Sequence, residues 1–417
     1  MTQPLNIILF DGSFKTRSFI NRIVQGLTER HQVYILCFNE TLPNRLEKVN
    51  YVPLGSNQSK IRFVKTTLQY ALQSGSIKLV YKTLKKIALG RRNELHKQNL
   101  RFVLQKIAPD VIHLQWLSVI PWFEEVLSAQ TTPVVLSQLG FHVNVRPFVN
   151  DNNFSYLQHW YPKMAGFHSV SKAISRNGDK IWNDSSKIDK VVYTGLPLEI
   201  TPFLEKYKIL NSLQLLSVGR PHWIKGYDYA LQTCKLLKDK NVPFHYTIIG
   251  GEGNEELQFL IADLGLKGDV SLTEAVSQSQ VFDLMRSSSL LLMPSLEEGI
   301  PNVVVEAMAI GLPIVSTDCG GIPELIANGV NGWVVPTRNP KAMAVVVMNF
   351  RELSLEKIEA VRFAARKKVE RQHNEERMVE GMERLYLEVL SRFHAEGAEF
   401  SAEYAEFLFD GSINYPF

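Results

Sequence analysis

Cysteine is scarce in this sequence, and its arrangement excludes several classes of protein. Cys37, Cys234 and Cys319 are the only three in 417 residues, and their spacing fits neither disulfide pairs nor metal ligands. Isolated thiols of this kind are typical of a reducing compartment. Long apolar runs are also missing, since no stretch approaches the ~20 residues that span a bilayer, and the first ten residues lack the features of a signal peptide. We expect a cytoplasmic protein, whose contact with the inner face of a membrane, if any, is peripheral.

The short motifs that hold catalytic metal ions are absent as well. The sequence contains no Asp-x-Asp pair, no His-Glu-x-x-His and no Cys-x-x-Cys. We therefore predict no metal site and no cofactor. Any phosphate that this protein binds would have to be neutralised by side-chain cations and backbone N–H groups.

What the sequence does contain is an alternation of short apolar runs and longer helical patterns, which is typical of parallel α/β units. A length of 417 residues predicts two domains, and a composition of 45% hydrophobic and 21% charged residues is that of a globular protein. We predict two doubly wound, Rossmann-like α/β domains facing a central cleft, over residues 1–198 and 209–372. The segment of about 375–417 could pack back on the first domain, and its acidic, aromatic part 396–417 could instead bind a partner. The thirteen apolar runs lie at Leu5–Phe10, Val33–Phe38, Asn50–Leu54, Val111–Leu117, Val134–Leu139, Gly166–Ser171, Lys190–Gly195, Leu213–Gly219, His245–Gly250, Val270–Ala275, Leu290–Pro294, Pro313–Thr317 and Trp333–Pro336.

The stretch from Pro294 to Pro313 carries the strongest functional signal. It places two carboxylates, Glu298 and Glu306, around the predicted start of a helix at Pro301. Proline is tolerated in the first turn of a helix, and the unpaired N–H groups of residues 299–303 would attract phosphate. The two carboxylates could accept hydrogen bonds from hydroxyl groups. A ligand that combines phosphate with hydroxyls on both sides is a nucleotide sugar.

Two cations follow the first apolar run of the second domain. Arg220 and Lys225 lie between a predicted strand and a predicted helix. Arginine offers a planar fork to phosphate oxygens, and lysine offers a mobile point charge. Ligands of doubly wound sheets bind outside the carboxyl ends of the strands, where Gly250 and Gly251 also fall. We predict that Arg220 and Lys225 stabilise a departing diphosphate.

Together these motifs resemble the retaining glycosyltransferases of family 4, which have the GT-B fold of two facing Rossmann-like domains. The resemblance covers about residues 213–340 and implies Arg220, Lys225 and Glu298 as catalytic residues. It also implies a nucleotide-sugar donor, with the diphosphate at the two cations and the ribose at Glu306. The implied donor-binding residues are Gly12, Gly219, Gly250, Gly251, Glu274, Gly299, Ile300, Pro301, Asn302 and Glu306.

The first domain matches that family less closely. Its opening loop keeps Gly12 where the family has a glycine pair, and Gln115 replaces the second histidine of an Asp-x-x-His-x-His segment. We predict acceptor-side contacts from His113, Gln138 and His142. A structural role is an equally good interpretation for either histidine.

A basic segment runs from Lys60 to Lys106, with twelve Lys or Arg residues against one acid, Glu94. Apolar residues interleave at helical spacing, a pattern typical of membrane-surface helices. We favour contact with a membrane surface, or with a lipid-linked acceptor that carries phosphate, over a merely solvated face. Nucleic acid is disfavoured as a partner, because aromatic residues for base stacking are not clustered there.

We predict a metal-independent, retaining glycosyltransferase of the hexosyl type. It would move a sugar from a UDP- or GDP-linked donor to a saccharide or lipid-linked acceptor in the synthesis of cell-surface polysaccharide or glycolipid. Two alternatives stay open. A nucleotide-sugar epimerase of the same architecture would need no acceptor, and a non-catalytic donor-binding protein would release no nucleoside diphosphate.

Overall fold

The computed structural model describes residues 3–38, 40–41 and 45–397, and it contains two parallel β-sheets, one in each half of the chain. Each of the thirteen predicted apolar runs overlaps one strand. The predicted fold class, α/β with two doubly wound domains, is confirmed. None of the helices in these ranges combines the length and the apolar character needed to cross a bilayer.

The first domain has a seven-stranded sheet of order β3-β2-β1-β4-β5-β6-β7. Its strands are β1 Asn6–Gly12, β2 Gln32–Cys37, β3 Val49–Pro53, β4 Val111–Leu114, β5 Val134–Gln138, β6 Gly166–Ser169 and β7 Asp189–Val191. Its helices are α1 Ser18–Leu27, α2 Lys60–Gln73, α3 Ile77–Ala88, α4 Arg92–Ile107, α5 Glu124–Ala129, α6 Phe141–Asn144, α7 Asp151–Trp160 and α8 Lys172–Asp179. The strand order reverses between β1 and β4, which makes this point the expected ligand crevice of the sheet.

The second domain has a six-stranded sheet of order β10-β9-β8-β11-β12-β13. Its strands are β8 Leu213–Val218, β9 Phe244–Ile249, β10 Val270–Thr273, β11 Leu290–Met293, β12 Ile314–Thr317 and β13 Trp333–Val335. Its helices are α9 Tyr227–Asp239, α10 Glu255–Asp263, α11 Gln278–Ser287, α12 Asn302–Ile310, α13 Ile322–Leu325, α14 Pro340–Arg351 and α15 Leu355–Gln372. Here the order reverses between β8 and β11, the two strands that precede the predicted donor-binding motifs.

The central strands are largely apolar because helices cover both faces of each sheet. In β1 the side chains Ile8 and Phe10 enter one core cluster, whereas Ile7 and Leu9 enter another on the opposite face. All four are at most 1% exposed. This double burial explains why the strands are visible in the sequence as continuous runs.

The last described helix, α16 Glu375–Gly397, returns to the first domain. Its residues Met382, Leu385 and Tyr386 are fully buried in the cluster that contains Ile7. A side chain at Gly26 of α1 would overlap Val379, so the glycine allows the two helices to approach closely. Most of the acidic, aromatic segment 396–417 lies outside the described residues, and the prediction made for it stays a prediction.

Candidate active site

The ends of β8, β9 and β10 form one edge of the second sheet, and four predicted donor-binding residues lie there. Gly219 and Gly250 follow adjacent strands, and a Cβ atom on Gly250 would lie 3.1 Å from the carbonyl oxygen of Gly219. Gly250 also has φ +89, a conformation that favours glycine. Glu274 is exposed just beyond β10, whereas Gly251 is buried against Ile248 and Leu272. Gly251 therefore shapes the turn rather than the open surface.

Arg220 and Lys225 extend from the loop that follows β8. Arg220 is exposed and makes no hydrogen bond or ion pair with any residue that the structure describes. The ammonium of Lys225 lies 2.7 Å from Glu298 Oε1, which also accepts a hydrogen bond from Ser295 at 3.0 Å. Two of the three residues predicted as catalytic are therefore in direct contact. A ligand that reaches Lys225 also reaches Glu298.

The segment before α12 has free backbone N–H groups. The helix begins at Asn302, one residue later than predicted, and Pro301 occupies the N-cap position. Within the described residues, the N–H groups of Gly299, Ile300, Asn302 and Val303 have no hydrogen-bond partner. Unpaired N–H groups at a helix start are able to bind an anion. Ile300 and Asn302 are half-buried, and Gly299 and Pro301 are buried.

This segment lies directly against the first domain. A Cβ atom on Gly299 would come within 2.8 Å of Val170 and 3.4 Å of the Gly140 nitrogen, both in the first domain. From the other side, a side chain on Gly320 would overlap the carbonyl oxygen of Glu298. Small residues thus allow three chain segments to meet at the bottom of the cleft.

Glu306, the predicted ribose contact, is only 8% exposed. Its Oε1 accepts a hydrogen bond of 2.8 Å from Gln278. Burial raises the pKa of Glu306, and the charge of Arg22, on α1 of the first domain, acts in the opposite direction. Arg22 is itself buried, and its Nε and Nη2 have no partner among the described residues. Arg22 was not predicted from the sequence, because nothing local distinguishes it from a solvated cation on an amphipathic helix.

A second contact across the cleft involves Glu324 of α13. Its carboxylate accepts hydrogen bonds from the backbone N–H groups of Lys172 at 2.9 Å and Ala173 at 2.8 Å, and from the Tyr193 hydroxyl at 2.9 Å. A carboxylate of the second domain therefore caps the first turn of α8 in the first domain. This role of Glu324 was not predictable from the sequence, because a helix cap supplied by another domain has no local signal.

Two of the predicted acceptor-side residues do not face the cleft. His113 of β4 is fully buried, on the face of the sheet that α16 covers. Its ring nitrogens contact the hydroxyls of Tyr386 and Ser137, each at 2.8 Å. Burial lowers its pKa well below the usual value, and nearby His168 lowers it further. Gln138 is fully buried against Gly178 of α8, where a side chain would overlap it. The contacts of His113 are those of a structural side chain, whereas the buried amide of Gln138 has no hydrogen-bond partner among the described residues. In this structure neither side chain is exposed to an acceptor, and the acceptor role stays a prediction.

His142 and Gly12 do lie beside the cleft. The His142 ring is half-buried, with its centroid 5.9 Å from that of Trp116. Gly12 ends β1 with φ +80 and is half-buried. Its neighbour Asp11 accepts a hydrogen bond from the Trp116 indole. Asp11 and Trp116 were not predicted as site residues, although each lies at the end of an apolar run, where a polar or aromatic side chain is a possible signal.

Part of this chain is similar in sequence to known glycosyltransferases. Residues 202–368 match the model of the family described as glycosyl transferases group 1. The amylovoran biosynthesis glycosyltransferase AmsK of Erwinia amylovora is 33% identical over 225 residues, which are 52% of this chain and 55% of that protein. The putative colanic acid biosynthesis glycosyltransferase WcaL of Escherichia coli is 34% identical over 171 residues, 39% of this chain and 42% of that protein. The chain thus spans about half the length of the curated relatives it matches, or less.

Solved structures extend the similarity to the whole fold. A glycosyltransferase of Rickettsia africae superimposes with a TM-score of 0.70 and 16% identity, over 93% of this chain and 99% of that one. HepE of Anabaena, solved in complex with UDP and glucose, gives a TM-score of 0.67 and 16% identity, over 93% and 100%. The second domain therefore carries the sequence pattern of the group 1 glycosyltransferases, on a chain whose two facing Rossmann-like domains form the GT-B fold.

Proposed function

We propose that this protein is a retaining, metal-independent glycosyltransferase of family 4, which moves a hexose from a nucleotide sugar to a hydroxyl of a saccharide or lipid-linked acceptor. The observation that carries the proposal is the convergence of Arg220, Lys225, Glu298 and the free N–H groups before α12 at one sheet edge, opposite the first domain. The names of the relatives favour an acceptor from polysaccharide synthesis. The complex of HepE with UDP and glucose favours a UDP-linked donor over a GDP-linked one.

Donor binding would change the partner of Lys225. The ion pair with Glu298 is largely buried, with side-chain exposures of 24% and 15%. A diphosphate carries more negative charge than one carboxylate, and Arg220 and the free N–H groups would bind it at the same time. Lys225 would then move onto the phosphate. Glu298 would become free to accept a hydrogen bond from a hydroxyl of the donor sugar.

The reaction would break the bond between the anomeric carbon and the diphosphate oxygen. The acceptor oxygen would form its new bond to the anomeric carbon on the same face of the sugar, which retains the configuration. The proton of the acceptor hydroxyl would pass to the departing phosphate oxygen. Arg220, Lys225 and the backbone N–H groups would stabilise the charge that builds on the diphosphate, while contact between the domains would keep water away.

The test combines a nucleotide screen with one substitution. Thermal unfolding with UDP, GDP and their sugar conjugates identifies the donor, because a ligand that binds only the folded state raises the midpoint. With that donor and a polysaccharide-lipid extract as acceptor, Arg220→Ala should reduce release of nucleoside diphosphate by roughly 100- to 1000-fold, since a lost charge-stabilising donor costs ~3–4 kcal/mol. Arg286→Ala, which breaks a surface pair with Asp283, is the matched control.

Unchanged turnover in Arg220→Ala would contradict the proposal. The assay also separates the two alternatives. An epimerase would convert the donor sugar without any acceptor. A non-catalytic donor-binding protein would be stabilised by the nucleotide sugar and would release no nucleoside diphosphate with any extract.

The outer face of α3 supports a peripheral contact with a membrane. Ile77 is 87% exposed and Tyr81 69% exposed, and Leu84 is exposed on the same helix. Of the α3 side chains only Thr83 is fully buried, and it accepts a hydrogen bond of 2.8 Å from Gln98, whereas Leu79, Val80 and Ile87 are half-buried. A helix that exposes large apolar side chains beside lysines is typical of a membrane-surface element.

The charges around this helix favour an anionic surface. Lys78, Lys82 and Lys85 are exposed and have no ion-pair partner within the described part of the chain. The one acid of the basic segment, Glu94, is already paired with Lys86 at 3.3 Å. Each free cation would contribute ~1 kcal/mol beside an anionic bilayer. We propose that α3 lies in the interface of such a bilayer and brings the cleft close to lipid-linked acceptors.

Flotation with lipid vesicles tests this part of the proposal. Wild-type protein should float with vesicles that contain phosphatidylglycerol. With vesicles of phosphatidylcholine alone it should remain in the bottom fraction of the gradient. Replacing Lys82 and Lys85 by Glu should weaken binding to anionic vesicles by at least about 30-fold, because two cations of ~1 kcal/mol each are lost. The control is Lys206→Glu with Lys208→Glu. It makes the same change of net charge at two exposed positions between the two domains. Equal flotation of the two double variants would refute the contact.

A further inference from the structure

Five ring side chains meet beside the cleft, beyond the carboxyl ends of β4, β5 and β8. They are Trp116, Phe141, His142, His222 and Trp223, and we call them the aromatic platform. The ring of Phe141 has its centroid 6.0 Å from that of His142, 5.8 Å from that of His222 and 6.3 Å from that of Trp223. Trp116 lies 5.9 Å from His142. The platform therefore joins rings of the first domain to rings of the second.

Packing of the two domains leaves part of the platform exposed. Trp223 is 55% exposed, and His222 is exposed beside it. Neither ring nitrogen of His142 is hydrogen bonded within the described ranges. A tryptophan that served only the core would be buried, as most of its surface is apolar. Trp223 and His222 are thus the exposed rings of the platform, while Trp116, Phe141 and His142 are half-buried beside them.

Charged groups border the platform on the first-domain side. The carboxylate of Asp11 accepts the indole N–H of Trp116 through Oδ1, and its Oδ2 receives no hydrogen bond from the described residues. Burial raises the pKa of Asp11 to about 6, against the lowering effects of the Trp116 hydrogen bond and of Arg17. The Arg17 guanidinium lies 5.1 Å from the Trp116 ring centroid. A hydrogen-bond acceptor and a cation thus stand next to flat apolar surfaces.

We propose that the aromatic platform is the acceptor subsite and that it binds a pyranose ring, with Asp11 Oδ2 accepting a hydrogen bond from one sugar hydroxyl. A pyranose has an apolar face of C–H groups and a rim of hydroxyls, so it matches ring faces combined with a few polar groups. This inference rests on the proposed glycosyltransferase function, and it adds the acceptor class and the residues that select it.

The position of the platform supports an acceptor rather than a donor role. Asp11 and Trp116 end β1 and β4, the two strands between which the first sheet reverses its order, and such reversal points bind ligands. On the other side, Trp223 lies in the same loop as Arg220 and Lys225. A sugar on the platform would therefore lie next to the predicted diphosphate site. Because Phe141 and Trp223 belong to different domains, the subsite is complete only when the domains meet.

Saturation-transfer NMR on the full chain in the presence of UDP tests the proposal. The probes are the methyl glycosides of glucose, galactose, mannose, N-acetylglucosamine and glucuronic acid. For at least one of them, saturation should reach the C–H protons of the sugar in wild type. Trp223→Ala, Trp116→Ala and Asp11→Asn should each weaken that binding by about tenfold or more, as truncation at a binding hot spot does. Phe259→Ala, which removes an aromatic ring that is 66% exposed on α10, should bind the sugar as wild type does.

Stabilisation by UDP is measured on the same samples and separates the two proposals. If UDP still stabilises the tryptophan variants while the sugar signal is lost, the platform is the acceptor subsite. The platform proposal is overturned if the sugar signal persists in both tryptophan variants. It is also overturned if none of the five glycosides receives saturation from the wild-type complex with UDP. Neither outcome contradicts the proposed donor site. If no nucleotide stabilises wild type, the proposed function itself fails.

Discussion

Replacing Tyr386 by Phe should destabilise the first domain through a single buried hydrogen bond. Tyr386 lies on α16, and its hydroxyl contacts His113 Nδ1 at 2.8 Å. The contacts continue from His113 Nε2 to Ser137 Oγ at 2.8 Å, from Ser137 Oγ to His168 Nδ1 at 2.9 Å, and from His168 Nε2 to the Val192 carbonyl at 3.0 Å. All four side chains are at most 2% exposed.

The protons of this chain can be placed by elimination. A carbonyl only accepts, so His168 carries its proton on Nε2 and its Nδ1 accepts from the Ser137 hydroxyl. Ser137 then accepts from His113 Nε2–H, and His113 Nδ1 accepts from the Tyr386 hydroxyl. Both rings are thus neutral Nε2–H tautomers. Burial lowers the pKa of both His113 and His168, which favours the neutral form.

The magnitude follows from the groups that each substitution leaves unpaired. Tyr386→Phe leaves one buried acceptor, His113 Nδ1, without a donor, which costs about 1–3 kcal/mol. Ser137→Ala leaves two groups, His113 Nε2–H and His168 Nδ1, and should cost roughly twice as much. Tyr161→Phe is the matched control, because the Tyr161 hydroxyl is fully buried and has no hydrogen-bond partner among the described residues. Its removal should leave stability unchanged or raise it.

Urea titration followed by far-ultraviolet circular dichroism measures these differences. With a slope of about 2 kcal/mol per molar urea, Tyr386→Phe should lower the midpoint by about 0.5–1.5 M. Nitrogen-15 NMR of the imidazole rings tests the tautomers directly. Equal midpoints for Tyr386→Phe and Tyr161→Phe, or an Nδ1–H tautomer at His113, would refute the reasoning.

Three further predictions concern the cleft and the response to pH. Glu324→Gln keeps one acceptor oxygen but turns an amide N–H₂ group towards the N–H groups of α8, so the domains should separate. Small-angle X-ray scattering should then show a larger radius of gyration. An unchanged radius of gyration would contradict this prediction. Gly320→Ala, at φ +51, would place a Cβ atom on the carbonyl oxygen of Glu298, so it should lower the thermal midpoint and abolish nucleotide binding. Gly329→Ala, at φ +73 in open space, is the control. It should lower the thermal midpoint through backbone strain but leave nucleotide binding unchanged. Burial lowers the pKa of His373 to about 4. The folded state therefore binds fewer protons than the unfolded state between pH 6.5 and 4. The free energy of unfolding should fall by about 3 kcal/mol as the pH drops through that window. Urea midpoints of wild type and His373→Gln across this range measure the effect, and parallel pH profiles would disprove it.

The strands and the location of the donor motifs were predictable from the sequence for one physical reason. Parallel strands that are buried on both faces are mostly apolar, so each appears as a nearly continuous run between polar segments. The residues that follow such a run lie at the carboxyl edge of the sheet. That local rule placed Arg220 after β8 and Glu298 after β11 without any knowledge of the neighbouring strands.

The faces of the strands were not predictable in the same way. His113 and Leu114 are consecutive in β4 and point to opposite faces, but both faces are buried, so polarity does not reveal which face a side chain joins. The structure turns His113 towards α16 and leaves Trp116, just beyond the strand, beside the cleft. For this reason His113 was predicted as a site residue from the sequence and Trp116 was not.

The sequence alone determined the fold class, the strand runs and the donor motifs, because these depend on neighbours along the chain. The tertiary structure decided which side chains face the cleft and which contacts join the domains. The caps that Glu324 provides, the pairing of Lys225 with Glu298 and the meeting of Phe141 with Trp223 each join residues more than 70 positions apart. No local pattern specifies such a partner, since its position depends on how two separately folded sheets approach one another.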